Sequence, residues 1–223
     1  MEDAILPRLI RTFRQSGFRR TLYDLTLRAI NRLAFLRILR AVAIATPDPK
    51  ALERRPEYSY GFLSRALLLS FAVDPQYEMN EEFLRRALAK NDRCYGVVAG
   101  DTLASYGWYS TSPTVALTDD LELQFDPAYV YMYKGFTQER YRGQRLHATG
   151  MALALQEYRA EGSKGIVSYV ESNNFSSLKS CYRMGYEDFG QVIVLRVAGR
   201  YFIAASDGCK ERGFNLAPLE RAT

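Results

Sequence analysis

Histidine occurs once, at His147, and cysteine three times, at Cys94, Cys181 and Cys209, in a chain of 223 residues. A single His excludes a cluster of His ligands or a pair of catalytic histidines. Three scattered Cys match neither a disulfide framework nor zinc-ligand spacing, so no metal is expected. No apolar run reaches the length of a membrane-crossing helix. The N-terminus also lacks the apolar core of a secretory leader, since Arg recurs there every few residues. Together these absences point to a reducing, cytoplasmic setting. Trp is single, but Tyr (16) and Phe (12) are abundant in a chain that is 48% hydrophobic, enough for a sizeable core packed with aromatics.

Net charge is small over most of the chain and concentrated at one end. The net charge is +5, yet residues 1–40 hold nine Arg against Glu2, Asp3 and Asp24, which leaves the remaining residues near neutrality. The basic balance therefore belongs to one segment and gives no reason to expect a nucleic-acid partner. That segment, taken as 1–38, reads as helices over Ala4–Gln15 and Phe18–Arg37 broken at Ser16-Gly17. Leu22, Leu25, Ala29, Leu33 and Leu36 form a stripe in the second helix, broadened by Tyr23, Leu27, Ile30, Phe35 and Ile38. Such a stripe is expected to bury against its own chain or a second copy in a homodimer. The alternative is a basic amphipathic surface for an acidic partner, such as acyl carrier protein, or for an anionic membrane to which the protein would be peripheral.

Beyond it, Ile38–Ala45 reads as a strand stopped by Thr46-Pro47-Asp48-Pro49, and Tyr60–Phe71 as a Leu-rich helix. A second helix opens at Asn80, a good N-cap with acids in the first turn, and runs through Ala89. Arg93–Ala99 and Leu103–Ser110 form a hairpin around Gly100-Asp101. Residues 111–126 interrupt the pattern with Asp119, Asp120, Glu122 and Asp126 and a short strand-like piece at 121–125. Two strands close the series, Gln191–Val197 and Arg200–Ala205. From Cys209 onward no periodicity is visible, so 207–223 reads as a loosely held tail.

The centre of the pattern is Tyr129–Tyr158. Tyr129–Thr137 is rich in aromatic and β-branched residues and reads as a strand. A basic turn containing Gly143 follows, then a helix from Leu146 to Gly162. Strand, turn and helix in this order put free backbone N–H groups and the positive end of a helix together, an arrangement suited to phosphate. A second unit repeats the theme: strand Gly165–Val170, polar turn Glu171-Ser172-Asn173-Asn174, and helix Phe175–Met184 closed by Gly185-Tyr186. Ligands of α/β sheets collect at such strand ends.

These residues resemble the GNAT superfamily of acyl-CoA-dependent N-acyltransferases. Tyr141-Arg142-Gly143-Gln144-Arg145-Leu146-His147 is similar to the family's acyl-CoA turn. Asn174, Ser177 and Gly185-Tyr186 are similar to its second motif. The resemblance covers residues 39–206 and implies an α/β fold with a mixed central sheet flanked by helices, preceded here by the helical extension. It implies transfer of an acetyl or longer acyl group from acetyl-CoA or another acyl-CoA to a small-molecule amine by direct attack. A carrier-protein-dependent N-acyl amino acid synthase and a non-catalytic acyl-CoA-binding or membrane-associated module are the alternatives. Two departures stand out, because Arg145 and His147 occupy positions where the family has Gly and Gly or Ala. The family's helical Tyr falls on Cys181, with Tyr182 one residue later.

The resemblance implies that Phe136 and Thr137, at the end of an exposed strand edge, hold the pantetheine amides. Arg142, Gly143, Gln144, Arg145, Leu146 and His147 would hold the pyrophosphate, with Asn174 and Ser177 on the second motif. His147 either faces the phosphates or packs under the helix start. Glu139, Glu171 and the acids of 111–126 are candidate bases for the amine proton. Cys181 and Tyr182 compete to assist the leaving thiolate. Neighbouring helical residues point about 100° apart, so only one can face the thioester; chemistry favours Tyr182 and position favours Cys181.

Overall fold

The protein was analysed as a computed structural model that describes residues 5–219. Ala4, the expected first helical residue, and the last four residues lie outside that range. Helix α1 (Ile5–Ile30) is interrupted at Gly17, whose φ of 78° and ψ of 172° are non-helical, at the break read from the sequence. Asn31 then ends the helix and starts the next element. Its Nδ2 donates to the carbonyls of Leu27 (2.7 Å) and Leu36 (3.0 Å), and its Oδ1 accepts from the Leu36 amide at 3.0 Å. The helix expected to reach Arg37 therefore stops earlier, and Phe35–Ile44 is strand β1. The boundary drawn at 38/39 falls inside this strand.

The other elements are β2 (Ser59–Phe62), α2 (Arg65–Ala72), α3 (Glu81–Ala89), β3 (Arg93–Ala99), β4 (Thr102–Ser110), β5 (Thr114–Val115), β6 (Leu121–Gln124) and β7 (Tyr129–Thr137). They continue with α4 (Leu146–Ala160), β8 (Gly165–Glu171), α5 (Phe175–Arg183), β9 (Glu187–Val197), β10 (Arg200–Ala205), α6 (Asp207–Lys210) and β11 (Asn215–Pro218). Eight strands form the main sheet in the order β10-β9-β1-β8-β7-β4-β3-β2, and β11-β6-β5 form a small second sheet. This is the mixed α/β fold expected, a mostly antiparallel sheet flanked by helices with a helical N-terminal extension.

One of these elements differs from expectation. Tyr60-Gly61-Phe62 is strand, paired with β3, rather than the start of a helix; the Leu-rich helix begins only after Ser64, whose side chain accepts from the Leu67 amide. Strand β1, read from the sequence as a strand at Ile38–Ala45, is central in the sheet. It lies between β8 and β9, antiparallel to both. Its sequence explains the position. Leu39 and Ala41 bury into one core and Val42 and Ile44 into the other, on opposite faces of the sheet, which a central strand requires and an edge strand does not. The Asn80 cap is as read, its Oδ1 accepting from the Phe83 amide at 2.8 Å.

Helix α4 covers one face through Met151, Leu153, Ala154, Leu155 and Tyr158. On the other face Leu121, Leu123 and Leu216 of the small sheet, with Phe214 just before β11, pack on Val167, Val192 and Val194. Residues 209–218 thus contain buried Cys209, Phe214 and Leu216, and β11 pairs with β6. The stretch read as a loose tail is, in its described part, core. Its alternation is too short to register as a period, and its burial depends on β6, which lies far away in sequence.

Extension α1 docks by its polar residues. Thr21, Asp24 and Leu27 are buried, whereas Leu22, Leu25, Ile30 and Leu33 are exposed. Tyr23 Oη lies 2.7 Å from Ser172 Oγ, and buried Asp24 accepts from Asn173 Nδ2 (2.9 Å) and Arg28 Nε (2.8 Å). The Leu stripe expected to bury therefore faces outward. A buried carboxylate is costly to leave unpaired, and Asn173, its partner outside α1, sits on the turn before α5, so that bond selects which side of the helix turns inward.

Candidate functional site

Parallel strands β7 and β8 pair only from Tyr129↔Gly165 to Tyr131↔Val167. Past that point they separate, although β7 continues to Thr137 and β8 to Glu171. Ser168 Oγ marks the parting by donating to the Met132 carbonyl at 2.8 Å. On its other edge β7 stays paired with β4 as far as Thr137↔Ser105. The register slips where Trp108 faces Lys134 and the next residue, Tyr109, faces Met132, leaving Tyr133 as an extra residue. The edge of β7 that faces β8 thus carries unpaired backbone groups along a cleft of about 540 Å³. A ligand that offers amides to that edge would add to the sheet as a short strand.

The cleft is lined by Phe136 and Thr137 from β7, by Glu171 at the end of β8, and by Asn174, Ser177 and Cys181 from α5. Phe136 stacks on Tyr106 with ring centroids 5.3 Å apart, which fixes the strand end. Asn174 Oδ1 caps α5 by accepting from the Ser177 amide at 3.2 Å. Glu171 faces Arg37 Nε across 3.7 Å.

A second cavity of about 620 Å³ lies at the start of α4 and shares Thr137, His147, Ser180 and Met184 with the first. Arg142, Gly143, Arg145 and Leu146 complete its rim. Gly143 has φ +80°, and Arg145, the residue before the helix, sits in the left-handed region at φ 61° with no capping side-chain bond. Arg therefore holds a backbone conformation that Gly adopts without strain, and the first amides of α4 stay open toward the cavity. Arg145 Nη2 is 3.8 Å from Asp48 Oδ2. His147 lines both cavities and packs so closely on Gly135 that a Cβ there would lie 2.6 Å from its Cε1. The two readings of His147 are thus compatible: it packs beneath the strand and still borders the cleft. Burial lowers its pKa, opposed by a hydrogen bond to the Tyr106 backbone, so it is neutral near pH 7.

Three candidates fall elsewhere. Glu139 lies in a short 3-10 turn (Glu139–Tyr141), is exposed, and lines none of these cavities. Gln144 turns away, accepting from Tyr58 Oη at 2.7 Å and tying the turn to residues 55–58. Tyr182 is 44% exposed and donates to Asp188 Oδ2 at 3.0 Å, on the opposite side of α5 from the cleft. The chemical preference for Tyr182 therefore fails on geometry: Cys181, not Tyr182, faces the cleft. None of Asp119, Asp120, Glu122 and Asp126 lines the cleft; Asp120 accepts from Tyr201 Oη (2.8 Å) and Asp126 from the Ala128 amide (2.9 Å).

Sequence reading missed Ser180 and Met184, which border both cavities, and Arg183, which borders the one at α4. Their spacing from Ser177 on the face of α5 was the available signal. It also missed Tyr186, a buried residue whose Oη contacts Met132 Sδ at 3.8 Å beside Cys181. Burial and then Asp188 push the Cys181 thiol up to about 11, and burial pushes Tyr186 up as well. Both therefore carry their protons near neutrality.

No protein-family model matches the sequence, and no curated protein matches it. Among solved structures it is similar to a GCN5-related N-acetyltransferase-like protein from Streptococcus suis, at 13% identity and TM-score 0.49, over 79% of this chain and 67% of that one. It is similar to an acetyltransferase from the GNAT family from Colwellia psychrerythraea at 14% identity and TM-score 0.49, over 73% of this chain; it spans only 57% of that protein. It is also similar to an aminoglycoside acetyltransferase from an uncultured soil metagenomic sample, at 12% identity and TM-score 0.44, over 60% and 90% of the two chains. These are likenesses to structures of the GNAT type, and the functional reading rests on the site itself.

Proposed function

We propose that this chain is an N-acyltransferase that moves an acetyl or longer acyl group from acyl-CoA to an amine by direct attack. The observation that carries the reading is the parting of β7 and β8 beside the open start of α4. One cavity offers an unpaired strand edge to an amide-bearing arm, and its neighbour offers backbone N–H groups with Arg142 and Arg145 to a pyrophosphate. Pantetheine joined to a nucleotide has these two parts in this order.

In the proposed reaction the amine lone pair attacks the thioester carbonyl carbon. A C–N bond forms, and the oxygen becomes an oxyanion that backbone N–H groups near the Tyr133 bulge would stabilise. Glu171 takes the amine proton. The C–S bond then breaks and the electron pair leaves on sulfur, toward Cys181. A Cys with a raised pKa serves by donating a hydrogen bond to that thiolate, with full proton transfer left to the solvent.

Calorimetric titration of the purified chain with CoA, and turnover of acetyl-CoA against a panel of amines, test the reading. At a hundredfold excess over Kd, CoA should raise stability by about 2.7 kcal/mol. Gly135→Val, which drives a side chain into His147, should abolish that gain. Absence of CoA binding by the parent chain would sink the proposal.

The outward stripe of α1 supports a second element. Phe18 (68% exposed), Leu22 and Leu25 lie along one side of α1 with Arg19 beside them, and exposed Arg32 and Leu33 (93%) follow in the turn after the helix. Apolar residues edged by cations match an anionic membrane surface, and we assign the stripe to that partner. No helix among the described residues is long and apolar enough to cross a membrane.

A further inference from the structure

Between α1 and α5 lies a third cavity, about 1110 Å³, that plays no part in the steps above. Its charged lining is Arg20 from α1, Arg40 from β1, and Lys179 and Arg183 from α5. Arg40 is occupied, forming an ion pair with Asp188, which also accepts from Tyr182. The other three cations have no carboxylate partner among the described residues; Arg20 rests over the Phe175 ring, 5.3 Å from its centroid. Ser176, Ser180 and Arg183 lie three to four residues apart and so share one side of α5, adding hydroxyls to the cations. Three like charges around one cleft repel one another unless an anion sits among them.

The cleft also adjoins the cavity at α4: Ser180 and Arg183 border both. We propose that this cleft binds the 3′-phosphate of the CoA nucleotide, with Arg20 and Lys179 as its principal contacts. The inference rests on the acyl-CoA reading and extends it, because it makes the N-terminal helix part of the donor site. The ligand chemistry follows from the lining. A phosphomonoester offers three acceptor oxygens and close to two negative charges near neutral pH. Guanidinium forks and an ammonium match that group, and the ribose linking it to the pyrophosphate spans the shared wall of Ser180 and Arg183. Tyr23–Ser172 and Asp24–Asn173 hold Arg20 in place by pinning α1 to the turn before α5.

The test compares CoA with dephospho-CoA, which lacks only that phosphate, by calorimetric titration of the full chain and of Arg20→Gln, Lys179→Gln and the double variant. Both side chains are exposed, so the variants fold. The parent should prefer CoA on the order of tenfold, the single variants should each shrink that preference, and the double variant should erase it. Affinity for dephospho-CoA should stay the same throughout. Equal affinity of the parent for CoA and dephospho-CoA overturns the inference while leaving the acyl-CoA reading intact. Failure of both ligands to bind overturns the two together. Should the double variant keep the CoA preference while losing affinity for an acidic carrier protein, the cleft belongs to that protein and the inference is wrong.

Discussion

Helix α5 has two unlike sides. Toward the cleft it presents Ser177, Cys181 and Met184, a neutral surface of small and soft groups; toward α1 it presents Lys179, Tyr182 and Arg183. Chemistry that needs a desolvated thioester fits the first side, and recognition of phosphate fits the second. One helix nine residues long can serve both because residues 181 and 182 diverge by about 100°. Place on the helix therefore outweighs residue type: a Tyr with the right chemistry on the wrong side assists nothing in the cleft.

The largest test of that contrast is turnover of Cys181→Ala against Tyr182→Phe. We expect Cys181→Ala, which removes the donor, to lower kcat by roughly tenfold to a hundredfold with donor affinity nearly unchanged. Tyr182→Phe should change kcat by less than about twofold, since it removes only a hydrogen bond to Asp188. The reverse ranking would break the comparison. Glu171→Gln, at the mouth of the same side, should depress turnover most for amines of high basicity, whose proton is hardest to remove.

Next in size is the joint between α1 and α5. Asp24→Ala leaves Asn173 Nδ2 and Arg28 without their buried acceptor and should cost about 1–3 kcal/mol, read by chemical denaturation. It should also weaken CoA more than dephospho-CoA if α1 carries part of the donor site. A loss of stability with both affinities untouched would separate α1 from the nucleotide.

The thiol sharpens the comparison by pH. The folded pKa of Cys181 is raised from 9.0 to about 11, so its protonated form is favoured by folding. That contribution is fully present below about pH 9 and is lost as pH rises toward 11. The difference in stability between the parent and Cys181→Ser should shift across that window and be constant below it. Alkylation should follow the same titration and be blocked by CoA.

The smallest effect on the fold, though not on partners, is expected at the stripe. Leu22→Gln should alter stability by no more than about 0.5 kcal/mol, because the side chain is already exposed. It should weaken sedimentation with phosphatidylserine vesicles, which in turn should fall with added salt. Concentration-dependent self-association lost in the same variant would instead assign the stripe to a second copy of the chain.

Much of this molecule follows from local chemistry. Gly17 breaks α1, Asn80 and Asn174 cap their helices, and Gly100-Asp101 turns the β3–β4 hairpin, because caps and turns are settled within a few residues. The same holds for the order of strand, basic turn and helix around Gly143, which is why that end of the candidate site was legible. Three decisions belong to the tertiary structure. β1 enters the middle of the sheet because both its faces find apolar partners on β8 and β9, residues more than a hundred positions away. The segment after Cys209 becomes core because β6 waits for it. α1 turns Leu22 and Leu25 outward because one buried carboxylate, Asp24, must meet Asn173. Periodicity measures how apolar each side of a helix is; which side is bonded inward depends on a partner that the period does not contain.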